Sequence, residues 1–579
     1  MADVPEMPAD PPGREWWRDG VLYQIYPRSY MDANGDGVGD LRGITSRLDH
    51  LAWLGVTGIW LSPVTVSPNR DWGYDVADYC DVDPALGTLA DAEELIAAAA
   101  ERGIRVLLDL VPNHSSDLHP WFVDARSGRD ARYRDRYVWA DPAPDGGPPN
   151  NWVNQFDPRQ PAWTYDEASG QYYLNQFLSS QPDLNWWNED VRDAFDEILR
   201  FWFDRGVAGF RIDVCHAIVK DAELRDNPPC SPDDHWWVQI RGQRSVYNAC
   251  RPELHDVLRR WRAIADSYEP HRILLGETYV FDPSEIAAFH GDDDELNLAF
   301  DFAMLHSGLD AAALREVVET AERHLPPGAQ PVWTAGNHDN HRFPTRWCEE
   351  DPARVRAALV MLMGLRGTPV LYYGDEIGMP DTPIPTDRML DPVGHFHGPR
   401  LGRDAERTPM HWAPEVGAGF SPAGVEPWLP YGDQAACNVA DQAADPDSVL
   451  HLTRDLIALR AASSDLRSGA YASLPCSDEH VWAWSRGERT VVVCNLSAAS
   501  ATVPVAGTVA CGTDRAREGA RVGPELRLDP WEAVIVVGDF IGGEHRRAPR
   551  PWSARRGRED DDDDEDDDDD KDDEEEAAA

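Results

Sequence analysis

Short apolar runs alternate with amphipathic stretches from Val21 to about Ala462. The runs predict strands at Val21–Pro27, Gly58–Pro63, Arg105–Pro112, Gly209–Val214, Arg272–Thr278, Leu296–Phe302, Pro331–Asp339 and Val370–Glu376. Between most of them, apolar residues recur at three- and four-residue steps, the spacing of one buried helix face. Ala90–Arg102, Val191–Arg205, Glu253–Ser267 and Arg354–Leu365 are the clearest of these helices. Eight strand–helix units predict an α/β protein of the (β/α)8, or TIM-barrel, class. A doubly wound sheet seldom gives eight.

Two stretches break the alternation. From Asn113 to about Trp187 there is no clean helix, and Pro, Gly, Asn, Trp and Tyr abound. A structureless loop of that length is uncommon inside a domain, so an inserted subdomain after the third strand is predicted. After about Ala470 the helical pattern stops. Val481–Trp484, Thr490–Cys494 and Val534–Val537 read as strands of a C-terminal all-β sandwich. The predicted organisation is a disordered N-terminus at 1–15, a barrel at 16–112 and 187–470, an insertion at 113–186, a C-terminal domain at 471–545 and a disordered tail at 546–579. No internal repeats appear.

Charge and composition narrow the partners. Net charge is −49, and the run Glu559–Glu576 alone holds 17 acids and one Lys. Such a run cannot bury apolar area and is expected to be disordered. Nucleic-acid binding needs clustered Lys and Arg, which this balance opposes. The nine Cys are scattered without a CxxC pair, which argues against a disulfide framework. The segment Met1–Pro12 has no apolar core of signal-peptide type, and no stretch reaches ~18 apolar residues. A cytoplasmic protein without membrane partners is expected. The 23 Trp suit sugar stacking and a large aromatic core equally well.

Four strand ends carry polar residues that a core strand does not tolerate unpaired. They are Asp109-Leu-Val-Pro-Asn113-His114, Gly209-Phe-Arg211-Ile-Asp213, Leu275-Gly-Glu277 and Gly336-Asn337-His338-Asp339. Catalytic groups of a barrel sit at this end of its strands. Strand alternation places Arg211 and Asp213 on one side. Glycoside hydrolysis needs two carboxyl groups flanking the bond. A cation beside one favours its charged form, as Arg211 does for Asp213. An apolar strand end, Leu274-Leu275-Gly276, keeps the other, Glu277, protonated. Taken singly, an Arg-x-Asp is more often a structural salt bridge; four such ends in barrel order change the reading. A further segment, Asp32-Ala-Asn34-Gly-Asp36-Gly-Val38-Gly-Asp40, offers oxygens at alternate positions like the start of an EF-hand loop. Gly43 stands where the bidentate Glu of that loop belongs. His216, His395 and His397 lack HExxH spacing and are expected in ordinary roles.

These motifs together resemble the α-amylase superfamily, glycoside hydrolase family 13, and within it the α-glucosidase and oligo-1,6-glucosidase branch. The resemblance spans about Trp16 to Asp539. It also includes Gln181-Pro-Asp-Leu-Asn185, Gly55–Pro63 and Gly367–Gly378. It implies Asp213 as nucleophile, Glu277 as acid/base and Asp339 as a stabiliser of the transition state. It implies that Arg211 orients Asp213, that His114 and His338 bond sugar hydroxyls, and that Tyr74 stacks under the reacting glucose. It further implies that Asp71 pairs with Arg407 and closes the pocket, so that the enzyme releases glucose from chain ends. The branch usually has Asn where this chain has Trp72. The resemblance further implies structural Ca2+ held by Asp32, Asn34, Asp36, Asp40 and the Val38 carbonyl.

The implied activity is a retaining, exo-acting α-glucosidase acting on short oligosaccharides or disaccharides. Two alternatives stay open: a glucosyl transferase or isomerase of the trehalose synthase or sucrose isomerase type, and an inactive relative serving as a transporter subunit. In the branch, Val after the nucleophile, here Val214, tends to accompany α-1,6 activity. Related α-1,4 enzymes carry Val too, so the linkage stays open, as does the oligomeric state.

Overall fold

A computed structural model describes residues 15–538. The predicted segment 546–579 and residues 1–14 lie outside the described residues. Eight parallel strands form the barrel: β1 (Leu22–Ile25), β2 (Gly58–Leu61), β3 (Arg105–Leu110), β4 (Gly209–Ile212), β5 (Ile273–Gly276), β6 (Leu298–Ala299), β7 (Val332–Thr334) and β8 (Thr368–Tyr372). Their order is β6-β5-β4-β3-β2-β1-β8-β7. A parallel bridge between Phe300 and Val332 joins the two ends and closes the ring. Every residue of β1 to β5 is buried, as continuous apolar runs between helices and a barrel interior require.

The four predicted helices form close to their expected bounds, at Leu89–Glu101, Glu189–Phe203, Leu254–Asp266 and Pro352–Gly364. Side chains that accept the free N–H groups of the first turn fix where they start. Thr88 and Asp91 make a reciprocal capping box, and Asn188 and Asp351 cap two others. The Pro352–Gly364 helix is buried from Ala357 to Gly364 because it lies between the barrel and the C-terminal sheet. Its last residue must be glycine, since a Cβ there would sit 2.8 Å from Val492. The Gly364 carbonyl accepts hydrogen bonds from Trp484 Nε1 (3.1 Å) and Arg486 Nη1 (3.0 Å).

All eight predicted strands are longer than those observed. The difference is largest in the runs 296–302 and 331–339, which contain only β6 and β7, because the chain leaves the ladder early to carry Asp301 and Asn337–Asp339 as loops. The stretch after β3 holds a short helix, Pro120–Ala125, and a three-stranded antiparallel sheet of Trp139–Ala140, Gln171–Leu174 and Trp163–Asp166. The C-terminal part is a six-stranded sheet with a two-stranded ribbon, Ala501–Val503 and Leu526–Leu528. Among the described residues no helix is long and apolar enough to cross a membrane.

Candidate active site

The barrel strands deliver the predicted residues to one end. Asp109 is on β3, Arg211 on β4, Asp213 just past it, and Glu277 just past β5. The loops after β2, β7 and β8 supply Asp71 and Tyr74, His338 and Asp339, and Arg403 and Arg407. The structure therefore brings together all nine residues predicted for catalysis and sugar binding, though not in every predicted pairing.

Arg211 is the hub. Its Nη1 meets Asp109 Oδ1 at 2.9 Å and Asp213 Oδ1 at 2.6 Å, and its Nη2 meets Glu277 Oε1 at 2.9 Å. The guanidinium also lies 4.9 Å from the Trp60 ring centre. Asp109 is fixed further by Tyr74 Oη (3.0 Å) and Trp60 Nε1 (3.2 Å), both of which donate to Oδ2. Burial pushes all three carboxyls up; Arg211 opposes this, and nearby negative charge adds to it, from Glu277 on Asp109 and Asp213 and from Asp339 on Glu277. For Asp109 the result is about 7. One guanidinium facing three carboxylates cannot neutralise them all, so burial favours a shared proton among them.

The turn after Asp213 is strained. Val214 has φ +45° and ψ +37°, a left-handed conformation that is an outlier for a β-branched residue. It aims the Val214 N–H at Glu277 Oε2, 2.7 Å away. The strain thus ties the two central carboxylates together.

Asp339 differs electrostatically. Its side chain is 27% exposed, the most open of the three. Burial pushes its pKa up, but His338, Arg403 and Arg407 outweigh this and hold it well below the usual carboxylate range. Burial in turn lowers the His338 pKa, against the pull of Asp339. His338 Nδ1 lies 2.7 Å from Gln24 Nε2, and its Nε2 lies 2.5 Å from Tyr74 Oη and 3.2 Å from Asp339 Oδ2. His114 is also kept neutral by burial, at about 4, with Nε2 3.1 Å from the Tyr74 carbonyl.

One predicted pairing is corrected. Asp71 pairs with Arg403, not Arg407: Arg403 Nη2 lies 2.7 Å from Asp71 Oδ1. Arg407 is turned to the β7 loop, where Nε donates to the His338 carbonyl (2.6 Å) and Nη2 meets Asp339 Oδ1 (2.9 Å). Those bonds hold its fully buried guanidinium at the β7 loop, with Nη1 making no hydrogen bond. Arg403 also binds Asp391 through Nε (2.9 Å) and Nη2 (2.7 Å), and Asp339 through Nη1 (3.0 Å). Arg403 and Asp391 escaped sequence reading, because they lie in a long loop with no periodicity. Gln181 completes the wall: its Nε2 donates to Asp71 Oδ2 (3.0 Å) and lies 3.1 Å from His114 Nε2. Trp72 packs 5.0 Å from Trp428 at the rim, with its Nε1 donating to the Leu390 carbonyl at 3.3 Å.

The Asp32–Asp40 loop folds on itself. Asp32 accepts the N–H groups of Gly35 (2.6 Å) and Gly37 (2.9 Å), and Asp40 those of Ala33 (3.0 Å) and Gly43 (2.7 Å). Gly37 has φ +92°, and a Cβ there would meet the Glu426 carbonyl at 2.1 Å. Three carboxylates, one amide and the Val38 carbonyl are the hard oxygen donors that calcium takes, but the structure does not gather the Asp32, Asp36 and Asp40 carboxylates within 4.8 Å of one another. His216, His395 and His397 join no metal-ligand cluster among the described residues; His216 instead lies beside the Glu277 carbonyl, 3.4 Å away.

The chain is similar to known proteins over most of its length. A family model described as the catalytic domain of alpha amylase matches residues 24–469. The chain is 43% identical to a probable alpha-glucosidase of Rhizobium meliloti, over 79% of this chain and 85% of that one. It is 36% identical to an oligo-1,6-glucosidase of Heyndrickxia coagulans, over 83% of this chain and 92% of that one. Among solved structures, an alpha-glucosyl transfer enzyme, XgtA, shares 38% identity with a TM-score of 0.84, covering 90% of this chain and 99% of that one. The chain belongs to the alpha-amylase family of glycoside hydrolases, in its alpha-glucosidase and oligo-1,6-glucosidase branch.

Proposed function

We propose that the protein is a retaining, exo-acting α-glucosidase that releases glucose from the ends of short α-glucosides. The observation that carries this reading is the shared guanidinium of Arg211. It holds Asp213 and Glu277 on adjacent nitrogens, at 2.6 and 2.9 Å. Such closeness suits a nucleophile and an acid/base rather than two groups with a water between them, which stand ~6.5–9.5 Å apart.

Asp213 attacks the anomeric carbon while Glu277 gives its proton to the leaving oxygen. Glu277 then takes a proton from the water that attacks the glucosyl ester. Asp339, kept charged by its two arginines, receives the sugar hydroxyls and the growing positive charge. Tyr74, His114 and His338 line the pocket as neutral donors and acceptors. Asp71, Arg403 and Gln181 wall off the space beyond the terminal glucose, which supports exo action.

NMR of the first-formed product from maltose tests this: α-glucose supports the reading, and initial β-glucose overturns it. The likeness to a glucosyl transfer enzyme favours a second reading, transfer of glucose to another sugar from the same intermediate. A product profile on maltose, isomaltose, sucrose and trehalose separates the two.

The Asp32–Asp40 loop is assigned to structural calcium, held by Asp32, Asn34, Asp36, Asp40 and the Val38 carbonyl. All nine cysteines are free, which supports a reducing, cytoplasmic setting.

A further inference from the structure

Beside the pocket wall lies a second group of chemistry-bearing side chains. His341 stands two residues after Asp339, Asp381 is in the loop after β8, and Glu406 immediately precedes Arg407. One ligand atom from each comes within 4.8 Å of the other two. His341 Nδ1 faces Asp381 Oδ2 at 2.8 Å and Glu406 Oε2 at 3.5 Å.

Their orientations are fixed from outside. His341 Nε2 lies 3.1 Å from the Arg400 carbonyl, so this nitrogen carries a hydrogen and Nδ1 presents its other face to the two carboxylates. Asp381 Oδ1 accepts the Arg342 N–H at 2.8 Å, which leaves Oδ2 for the cluster. Glu406 has a side chain only 2% exposed, and its Oε2 has no hydrogen-bond partner. An imidazole lone pair against two carboxylate oxygens is repulsive, so a proton or a metal ion stands between them. A proton on Nδ1 serves Asp381 but leaves Glu406 Oε2 beyond good hydrogen-bond range. A metal ion serves all three. A tetrahedral ion with ligands at ~2.0–2.1 Å sets them roughly 3.3 Å apart, close to the 3.5 Å to Glu406 and wider than the 2.8 Å to Asp381, which must open on binding.

We propose that His341, Asp381 and Glu406 form a second metal site, selective for zinc-class divalent ions, which clamps the loop after β7 to the loop after β8 beside Asp339 and Arg407. Imidazole with carboxylates suits Zn2+, Co2+ or Mn2+ better than Ca2+. The Arg400 carbonyl is the outer partner that orients a ligating histidine. The His341 side chain, 38% exposed, opens the site to solvent for entry and for completing waters.

The test is a Co2+ titration of the full-length, chelator-stripped protein near neutral pH. Excess Ca2+ is kept present to occupy the Asp32–Asp40 loop and the acidic segment. The expected result is one tight equivalent with visible d–d absorption stronger than that of aqueous Co2+, displaced by Zn2+. Glu406→Gln and His341→Gln each lower the affinity at least tenfold and remove the absorption, while Asp36→Ala leaves both unchanged. X-ray absorption of the loaded wild type gives an arm that needs no variant, and it should show imidazole scattering. An all-oxygen shell, absence of a tight equivalent, or wild-type binding by the folded variants overturns the site and leaves a proton-bridged ion pair.

Discussion

Replacing Arg403 by Ala is the sharpest perturbation of the pocket wall. The guanidinium makes two contacts to Asp391, one to Asp71 and one to Asp339, at 2.7–3.0 Å. A hydrogen bond between charged groups contributes about 1.5–3 kcal/mol. Two of these contacts hold side chains that face the sugar. Asp339 keeps Arg407 as a partner at 2.9 Å, so its loss is partial. A net loss of about 3 kcal/mol in transition-state binding follows, or roughly 100-fold in kcat/KM at 1.36 kcal/mol per factor of ten. Stability should fall by about 3–5 kcal/mol, because buried carboxylates lose their cation. Initial rates on maltose give the first number and urea unfolding the second. A double-mutant cycle of Asp71→Asn with Arg403→Lys should show coupling of about 1–3 kcal/mol, against near zero for Asp71→Asn with Arg407→Lys. A folded Arg403→Ala enzyme within threefold of wild type in kcat/KM, or coupling to Arg407 instead, refutes the wall as described.

Other outcomes follow from the same geometry. Asp213→Asn keeps the shape but removes the attacking charge, so turnover should be nearly abolished with the fold intact; a tenth of wild-type kcat remaining would exclude the role. Burial, with the Asp339 charge adding, raises Glu277 despite Arg211, so its acid form persists above the ordinary carboxyl range and activity falls as pH rises through that value. The alkaline limb should vanish with α-glucosyl fluoride, whose leaving group needs no proton; an unchanged limb assigns it to another residue. EDTA should lower Tm and Ca2+ restore it, with Asp36→Ala mimicking EDTA, since an ion bound only to the folded state stabilises it by mass action. No change in either case leaves the loop a polar turn.

The barrel was legible because its two periods are clean. Parallel strands buried on both faces read as continuous apolar runs, and capped helices with one apolar face fill the intervals. Asp213 and Glu277 were legible for the same reason, since a charge at the end of a buried run stands out. The wall was legible only in part. Arg407 and Arg403 lie four residues apart in an irregular loop, and which one meets Asp71 depends on where the β7 loop places the His338 carbonyl. That is a contact across more than 60 residues with no local pattern. The left-handed Val214 was equally hidden, because a β-branched residue gives no sign of positive φ.

The central claim is that Asp213 forms a bond to glucose while Glu277 supplies and removes protons. Mass spectrometry of the Glu277→Gln protein after reaction with a 5-fluoro-α-glucosyl fluoride tests it most directly, because departure of fluoride needs no acid and breakdown of the ester needs the missing base. The account predicts a single glucosyl adduct on the peptide that contains Asp213, absent in Asp213→Asn. An adduct on another residue, or α-glucosyl fluoride turned over without any adduct and with β-glucose as the first product, would contradict it.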